Sequence, residues 1–573
     1  MKPVINFWKR KKFWLTFLIF FTLINATITL LVPYILKDII DGIKLQFTAQ
    51  NLIQYVLILG ILGVSRALTT TLLPYCRGRT NEHFLRAERT DIFSEILHKG
   101  YSFSNTFPAG DVLQRLDHDL REFSWFACSG IFRPVEGILI IIVALFFLIK
   151  LNLWLTILAV LPISIAIFAW MKISPLMYKY YYQWRDAMAR VNNHLQSSFS
   201  GIKLIKSYTM EEENHHQFIN ILENRIAAAI KVIKIETIIH TLFTSIQEIG
   251  ILFILLFGGL FIIKGTLTIG EFIAFNAYII LLLGPMIRIG DFFVSKKRAQ
   301  VQNERLEQIK YYPADVVDRG KTKKVDLKEI ALNNVSFKYF KDTPLVVDRV
   351  SVKIPFGKKI GLAGTVGSGK TTIVKLLMRT VDPIFGKVMI NKYDATNIPL
   401  NQLRNILGYV PQEPSLFSDT IKNNILFGRE HSPERLKNAV KHAQLENFVK
   451  QQPKGLDEII GERGLKLSGG EKQRIAIARA IYGQPKMLIF DDATSNLDAE
   501  TEKELVNQLS QSLNVAVLII SHRLSILSIC DYIYVLDAGR VVEHGTHESL
   551  LRQHGLYWKL YQHQIAEEEL KNI

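Results

Sequence analysis

The 573-residue sequence predicts an all-α membrane domain of six spanning helices followed by a soluble α/β domain. Three observations carry that prediction. Hydrophobic residues make up 49% of the chain, yet almost all the long apolar runs lie before about residue 290. From about residue 326, short β-like runs alternate with helical periodicity, the pattern of an α/β layer. One of those runs, Lys359-Ile-Gly-Leu-Ala363, enters a glycine-rich loop that opens a helix. A chain this long holds at least two domains. The reading places a membrane domain at 1–310, a linker at 311–325 and the α/β domain at 326–573.

Six apolar stretches, at about 13–36, 52–75, 128–150, 153–174, 241–264 and 269–290, each supply the roughly 20 residues needed to cross a hydrocarbon core. Lys9-Arg-Lys-Lys12 precedes the first, but that stretch is too long for the apolar region of a signal peptide and lacks a small-residue cleavage site. It reads as a retained anchor, with Met1–Lys12 an amphipathic segment on the membrane surface. The stretches 76–127 and 175–240 are long, polar, helical and rich in Lys and Arg, whereas 37–51, 151–152 and 265–268 are short. The positive-inside rule puts the long stretches, both termini and the α/β domain in the cytoplasm, with the chain in a plasma or bacterial inner membrane.

The net charge of +17 has a simple account in basic loops facing an anionic inner leaflet, so no nucleic-acid partner is expected. Three cysteines, Cys76, Cys128 and Cys530, show no metal-site or disulfide spacing. Four ionisable residues fall within apolar stretches: Arg66, Arg133, Glu136 and Glu248. Two readings stay open for them. They line a polar pathway for a charged or amphipathic substrate, or they pair across helices where the helices have left the bilayer.

The glycine-rich loop is Gly364-Thr365-Val366-Gly367-Ser368-Gly369-Lys370-Thr371, followed by Thr372. Glycines let the backbone wrap a phosphate, and the helix N-terminus aims N–H groups at it. In that pattern Lys370 meets the β- and γ-phosphates of ATP and the Thr371 hydroxyl meets Mg²⁺. Lys486-Met-Leu-Ile-Phe-Asp491 is an apolar run ending in a carboxylate, as a buried parallel strand does, and Asp491 is the acid held near the metal.

About a hundred residues after the loop comes Leu467-Ser468-Gly469-Gly470-Glu471. With the loop, it makes this a P-loop NTPase that resembles the ATP-binding cassette (ABC) ATPases. The resemblance implies further roles. Tyr339, ahead of the loop, matches the aromatic that stacks on adenine. Gln412, in Tyr-Val-Pro-Gln-Glu-Pro, matches the glutamine that senses the γ-phosphate through the metal. His522, in Ile-Ile-Ser-His-Arg, matches the switch histidine, Ser495-Asn-Leu-Asp498 the D-loop, and Gly461-Glu-Arg-Gly464 the exporter-type loop that meets the membrane domain. Pro108-Ala-Gly110-Asp, Gly201-Ile-Lys-Leu-Ile-Lys206-Ser-Tyr208 and Gly265-Thr-Leu-Thr-Ile-Gly270 resemble phrases of the type IV ABC exporters. One residue departs from the family. Most cassettes place Glu after the Asp491 position, and this chain has Asp492. A carboxylate one methylene shorter sits about 1 Å from its working place, a misplacement that costs on the order of a hundredfold in rate.

The resemblance implies ATP held between the loop of one cassette and the signature of another, where Ser468, Gly469 and Gly470 present a hydroxyl and a helix N-terminus. One chain has one of each, so a second half-transporter chain is expected, a different chain in preference to a copy. The implied function is export of a lipid, drug-like amphiphile or peptide, driven by slow hydrolysis at this chain's own site through Asp492, His522 and Gln412. A regulatory, weakly hydrolysing subunit and an importer built on the exporter fold are the alternatives.

Overall fold

Each of the six apolar runs falls on a helix that outruns it, because a helix does not end where the hydrocarbon does. The computed structural model describes residues 1–44, 48–322, 326–340, 342–461, 467–493, 504–507, 509, 512 and 514–571. Helix α1 (Lys2–Arg10) precedes α2 (Lys12–Lys44) and α3 (Ala49–Leu97), and a short helix α4 (Tyr101–Thr106) follows. Then come α5 (Ala109–Leu151), α6 (Leu153–Ser200), α7 (Glu211–Ile263) and α8 (Ile269–Lys310). Helices α2, α3, α5 and α7 are long and apolar enough to cross a membrane, and α6 and α8 show shorter apolar stretches among the described residues. The stretches 76–127 and 175–240 are helical throughout most of their length, continuing the spans and interrupted near 98–108 and 200–210. The chain divides into two compact units, one of Met1–Ser94 with Gly110–Lys310 and one of Glu95–Ala109 with Tyr311–Ile573.

In the first unit, tight turns and wide turns set the helix paths. Asn152 ends α5 and caps α6 by accepting from the Leu155 N–H at 2.9 Å, which satisfies one of the orphan donors of a helix start. Helix α5 carries two wide turns, Arg115–Asp119 and Phe126–Gly130, the kind of bulge that redirects a helix without breaking it. The apolar faces of α2, α5, α6, α7 and α8 meet in a core that includes Ala26, Ala144, Leu155, Ile254 and Phe275. Tyr278 is fully buried there and donates its hydroxyl to the Leu30 carbonyl at 2.8 Å. On α3, by contrast, Val56, Leu57, Ile61, Val64 and Leu68 are all exposed, which a lipid or partner-facing helix tolerates and a water-facing one does not. All three cysteines are free and buried, and burial pushes the Cys530 thiol up to about 12.

Among the described residues the second unit holds ten strands. They are β1 (Glu329–Phe337), β2 (Val347–Pro355), β3 (Lys359–Gly364), β4 (Phe385–Ile390), β5 (Tyr393–Asp394), β6 (Leu407–Val410), β7 (Met487–Asp491), β8 (Ala516–Ile520), β9 (Tyr532–Asp537) and β10 (Arg540–Gly545). An antiparallel sheet runs β2-β1-β4-β5, and a six-stranded sheet runs β10-β9-β3-β8-β7-β6 with a parallel centre. Alternation splits the central strands between two cores. Leu488 and Phe490 of β7 join one with Val517 and Ile519, while Met487 and Ile489 join the other with Leu518 and Ile520. A sheet covered on both faces needs such apolar runs.

Candidate functional site

The C-terminal ends of β3, β8 and β7, three neighbouring parallel strands, deliver the predicted residues to one place, as open α/β sheets do. From β3 the chain turns through the glycine-rich loop into helix α9 (Lys370–Leu377). Two glycines there are required by geometry. Gly364 has φ 142, and a Cβ on it would stand 2.1 Å from the Leu536 carbonyl oxygen. Gly369 has φ 99, and a Cβ would meet the Val346 carbonyl oxygen at 2.7 Å. Between them, Gly367 and Ser368 close the turn, the Ser368 N–H donating to the Thr365 carbonyl at 3.2 Å.

Lys370 folds back across the loop. Its Nζ donates to the carbonyls of Gly364 at 2.9 Å and Thr365 at 2.8 Å, and lies 3.5 Å from Ser368 Oγ. Burial lowers its pKa, and the charges of Asp492 and Asp491 pull in the opposite direction. The Thr365 hydroxyl is tied to Asp537 Oδ1 at 3.1 Å, while Val366 is 88% exposed at the loop's crest. A cation held beneath a glycine-rich crest is suited to an anion arriving from outside.

Asp491 ends β7, buried at 4% exposure. Thr371 Oγ1 donates to its Oδ1 at 3.2 Å, and the Tyr409 hydroxyl donates to its Oδ2 at 3.2 Å. Burial raises the Asp491 pKa, and these two hydrogen bonds oppose the rise. The next residue, Asp492, has φ 50, in the left-handed region that Asp enters more readily than most residues. Its carboxylate accepts from Gln412 Nε2 at 3.1 Å and from the His522 backbone N–H at 3.4 Å. Gln412 follows β6, and His522 follows β8, so three strand ends converge on one carboxylate.

Tyr339 lies at the other end of the loop. Its hydroxyl is 3.0 Å from Thr372 Oγ1 and accepts from Lys375 Nζ at 3.2 Å. Phe337 meets its ring edge-on at 5.0 Å between centroids. Tyr101, on α4 in the same compact unit, is 5.3 Å from Tyr339, and Lys375 Nζ stands 3.9 Å over the Tyr101 ring. Asp315 secures α4 by accepting from the Ser102 N–H at 2.8 Å and from its hydroxyl.

The signature residues are placed differently. Ser468 caps helix α10 (Gly469–Tyr482) in a capping box, its hydroxyl accepting from the Glu471 N–H at 3.3 Å and its own N–H donating to Glu471 Oε2 at 2.7 Å. Among the described residues no hydrogen bond joins Ser468, Gly469 or Gly470 to the glycine-rich loop. The structure thus brings Tyr339, the loop Gly364–Thr372, Gln412, Asp491, Asp492 and His522 together and leaves the signature apart. The D-loop Ser495–Asp498 and residues 462–464 of the exporter-type loop lie outside the described residues.

Sequence reasoning missed Tyr409, Lys375, Tyr101 and Asp315. Tyr409 stands on β6 opposite Ile489, three residues before Gln412, and a strand register would have aimed it at Asp491. Lys375 is five residues beyond Lys370, but nothing local marks its ring partners. Tyr101 and Asp315 meet their partners across long stretches of sequence, 213 residues for Asp315 and Ser102.

Comparisons with known proteins find relatives along nearly the whole chain. The ABC transporter transmembrane region family matches residues 15–286, and the ABC transporter family matches residues 347–495. The chain is 30% identical over 569 residues to a "Probable multidrug resistance ABC transporter ATP-binding/permease protein", YheI, of Bacillus subtilis (strain 168), covering 97% of this chain and 96% of that protein. It is 29% identical to an ATP-dependent lipid A-core flippase of Syntrophus aciditrophicus (strain SB), covering 96% and 92%. A solved structure, a bacterial Atm1-family ABC exporter with ATP bound, superposes with a TM-score of 0.83 at 25% identity, covering 96% of this chain and 99% of that one.

Proposed function

This chain belongs to the ABC transporter family as an exporter half-transporter with an ATPase coupled to transport, and from that premise we propose which substrate it moves and how it uses its own ATP site. It exports an amphiphilic or hydrophobic compound and hydrolyses ATP slowly at the site built on Gly364–Thr371. Asp492 is the observation that carries the second part. Its carboxylate is held back by Gln412 and the His522 N–H, a methylene short of where a glutamate would polarise the attacking water. Half-transporters of this kind dimerise. An intact capping box at Ser468 beside a shortened acid favours a partner chain that bears the usual glutamate, whose site this signature completes. Purification from the native membrane tests that, since a second half-transporter in stoichiometric amount supports it and a lone chain in the complex rejects it.

The residues present fit Mg²⁺-ATP. Thr371 Oγ1 and Asp491 Oδ1 are hard oxygen donors facing each other across 3.2 Å. Among the described residues no three-acid cage exists. That suits a cation bound by one or two protein oxygens plus substrate phosphates. Thr371 and Asp491, with Gln412 nearby, would hold the ion, which neutralises charge developing on the transferred phosphoryl group. Lys370 takes the phosphates, and Tyr339 offers its ring to the base. Y339A is expected to weaken ATP binding about tenfold, in line with the roughly 1–3 kcal/mol of base–aromatic stacking. Y339F is expected to keep most of the affinity. A titration with a fluorescent ATP analogue measures both.

Asp491 sets a pH dependence whose sign is fixed by burial. Its folded pKa is raised, so the folded state favours its protonated form. That preference adds stability below the unfolded value and is lost as pH rises through the folded value. In the nucleotide-free cassette, ionised Asp491 therefore opposes folding at neutral pH, and the metal offsets this when bound. The loss is therefore expected as pH rises above the ordinary aspartate range, and D491N is expected to remove it. Thermal melts of the nucleotide-free, metal-free protein across pH measure it, and a profile that D491N leaves unchanged contradicts the assignment.

A further inference from the structure

Strand β6 serves both acids at the end of β7, and it serves them differently. Gln412, just past the strand, is exposed and donates to Asp492. Tyr409, inside the strand, is half-buried, and its ring packs against the core that holds Met487 and Ile489. Its hydroxyl donates to Asp491 Oδ2 at 3.2 Å. The strand register explains the reach. Tyr409 stands opposite Ile489, and Asp491 is the next residue of β7 on that face. Neighbouring strands lie about 4.8 Å apart and two residues rise about 6.6 Å, so the diagonal is roughly 8 Å. A phenol and a carboxylate close that gap between them.

The main chain at Asp491 is fixed by its neighbours. It pairs with Ile520 of β8, and the Asp492 N–H donates to the Ile520 carbonyl at 2.8 Å. What the backbone leaves open is rotation of the carboxylate itself, because the terminal torsion of Asp is broad. Tyr409 holds Oδ2, and Thr371 Oγ1 meets Oδ1 at 3.2 Å. Thr371 stands in the first turn of α9, directly after the glycine-rich loop. Oδ1 is therefore the nucleotide-side oxygen and Oδ2 the anchored one. A phenylalanine would pack the same core, so packing does not require the hydroxyl. Cation preference follows from the number of oxygens on offer. Ca²⁺ takes more oxygens in flexible geometry and accepts both from one carboxylate, while Mg²⁺ demands near-octahedral geometry. A carboxylate with Oδ2 tied to a phenol offers one.

We propose that Tyr409 is a positioning residue for the metal-holding acid: it fixes Asp491 so that Oδ1 alone is presented beside Thr371, and it thereby favours Mg²⁺ over Ca²⁺. The inference rests on the Mg²⁺-ATP reading above and adds the residue that sets the cation preference of that site.

The test uses the full transporter, with whatever chain co-purifies, and reads binding instead of turnover. Mn²⁺ is titrated by electron paramagnetic resonance with a non-hydrolysable ATP analogue present, and Mg²⁺ or Ca²⁺ is added as competitor. The unaltered protein is expected to bind Mn²⁺ and to give it up to Mg²⁺ at lower concentration than to Ca²⁺. Y409F is expected to weaken Mn²⁺ binding at this chain's site by about tenfold, the worth of a hydrogen bond to a charged group, and to narrow the gap between Mg²⁺ and Ca²⁺. A partner's site, where present, gives a second class of Mn²⁺ that Y409F leaves alone. Affinity for the analogue in chelator is expected to hold, which a damaged fold would not allow. D491N/Y409F is expected to bind Mn²⁺ no worse than D491N, because the group that Tyr409 positions is already gone. Unchanged Mn²⁺ affinity in Y409F overturns the positioning role and leaves the Mg²⁺-ATP site standing. An equal loss on top of D491N, or a loss of analogue binding in chelator, overturns it in favour of packing. A weaker Mn²⁺ affinity with the gap intact overturns the cation preference. No Mn²⁺ binding by the unaltered protein overturns the Mg²⁺-ATP reading as well.

Discussion

D492E is expected to raise ATP turnover at this chain's own site by about a hundredfold, the cost assigned to a catalytic group misplaced by roughly 1 Å. The extra methylene carries the carboxylate past its present partners, Gln412 Nε2 and the His522 N–H, toward the space beside the γ-phosphate. Part of the gain is given back, because residue 492 has φ 50 and glutamate enters that region less readily than aspartate. Release of phosphate from the purified complex, with and without D492E, measures the change. Acceleration in a complex that contains this chain alone identifies a homodimer limited by its own acid. No acceleration in such a complex contradicts slow hydrolysis by misplacement. In a complex with a second chain, a gain at this site adds to the partner's turnover, and trapping of labelled nucleotide on each cassette separates the two.

K370A is expected to cause the largest loss. Its ammonium is the cation beneath the loop, and it also holds the loop's shape by donating to the Gly364 and Thr365 carbonyls. Removing it leaves two carbonyls without their donor, at a cost of about 1–3 kcal/mol each where they stay buried, and takes away the charge that meets the phosphates. ATP affinity at this site is expected to fall by at least a hundredfold, by calorimetry on the nucleotide-free protein, and hydrolysis there to vanish. The residual turnover of the complex carries further information. A homodimer loses all of it, whereas a heterodimer retains what the partner's loop performs with this chain's Ser468.

Much of the ATP site was legible in the sequence because its chemistry is local. A loop that must wrap phosphate needs Gly364 and Gly369 at positive φ within a few residues of Lys370, and a strand that must deliver a buried acid reads as an unbroken apolar run ending at Asp491. The membrane charges were legible only in part. Glu136 was visible as an anomaly, but its partner Arg77 fell just beyond the end read for the second span, at about residue 75, while the helix itself runs on to Leu97. Hydropathy marks where apolar character stops, and it carries no information on how far the rod continues. Of the other ionisable residues in the apolar stretches, Arg66 and Glu248 are exposed in this unit. The Tyr101–Lys375–Tyr339 cluster was invisible for another reason: its members share no periodicity or motif, and only the fold brings them together.

The membership of Glu95–Ala109 in the same compact unit as Tyr311–Ile573 bears on how such chains recombine. Phe103 is 6% exposed there and meets Tyr312 at 5.7 Å between ring centroids. A cassette cut out at residue 311 would leave that piece of its own packing behind, with Tyr339 stripped of Tyr101 and Asp315 of Ser102. Swapping cassettes between half-transporters is then a graft of two separate segments, not one. An inherited cassette that arrives without a matching 95–109 docks its Tyr339 against a stranger.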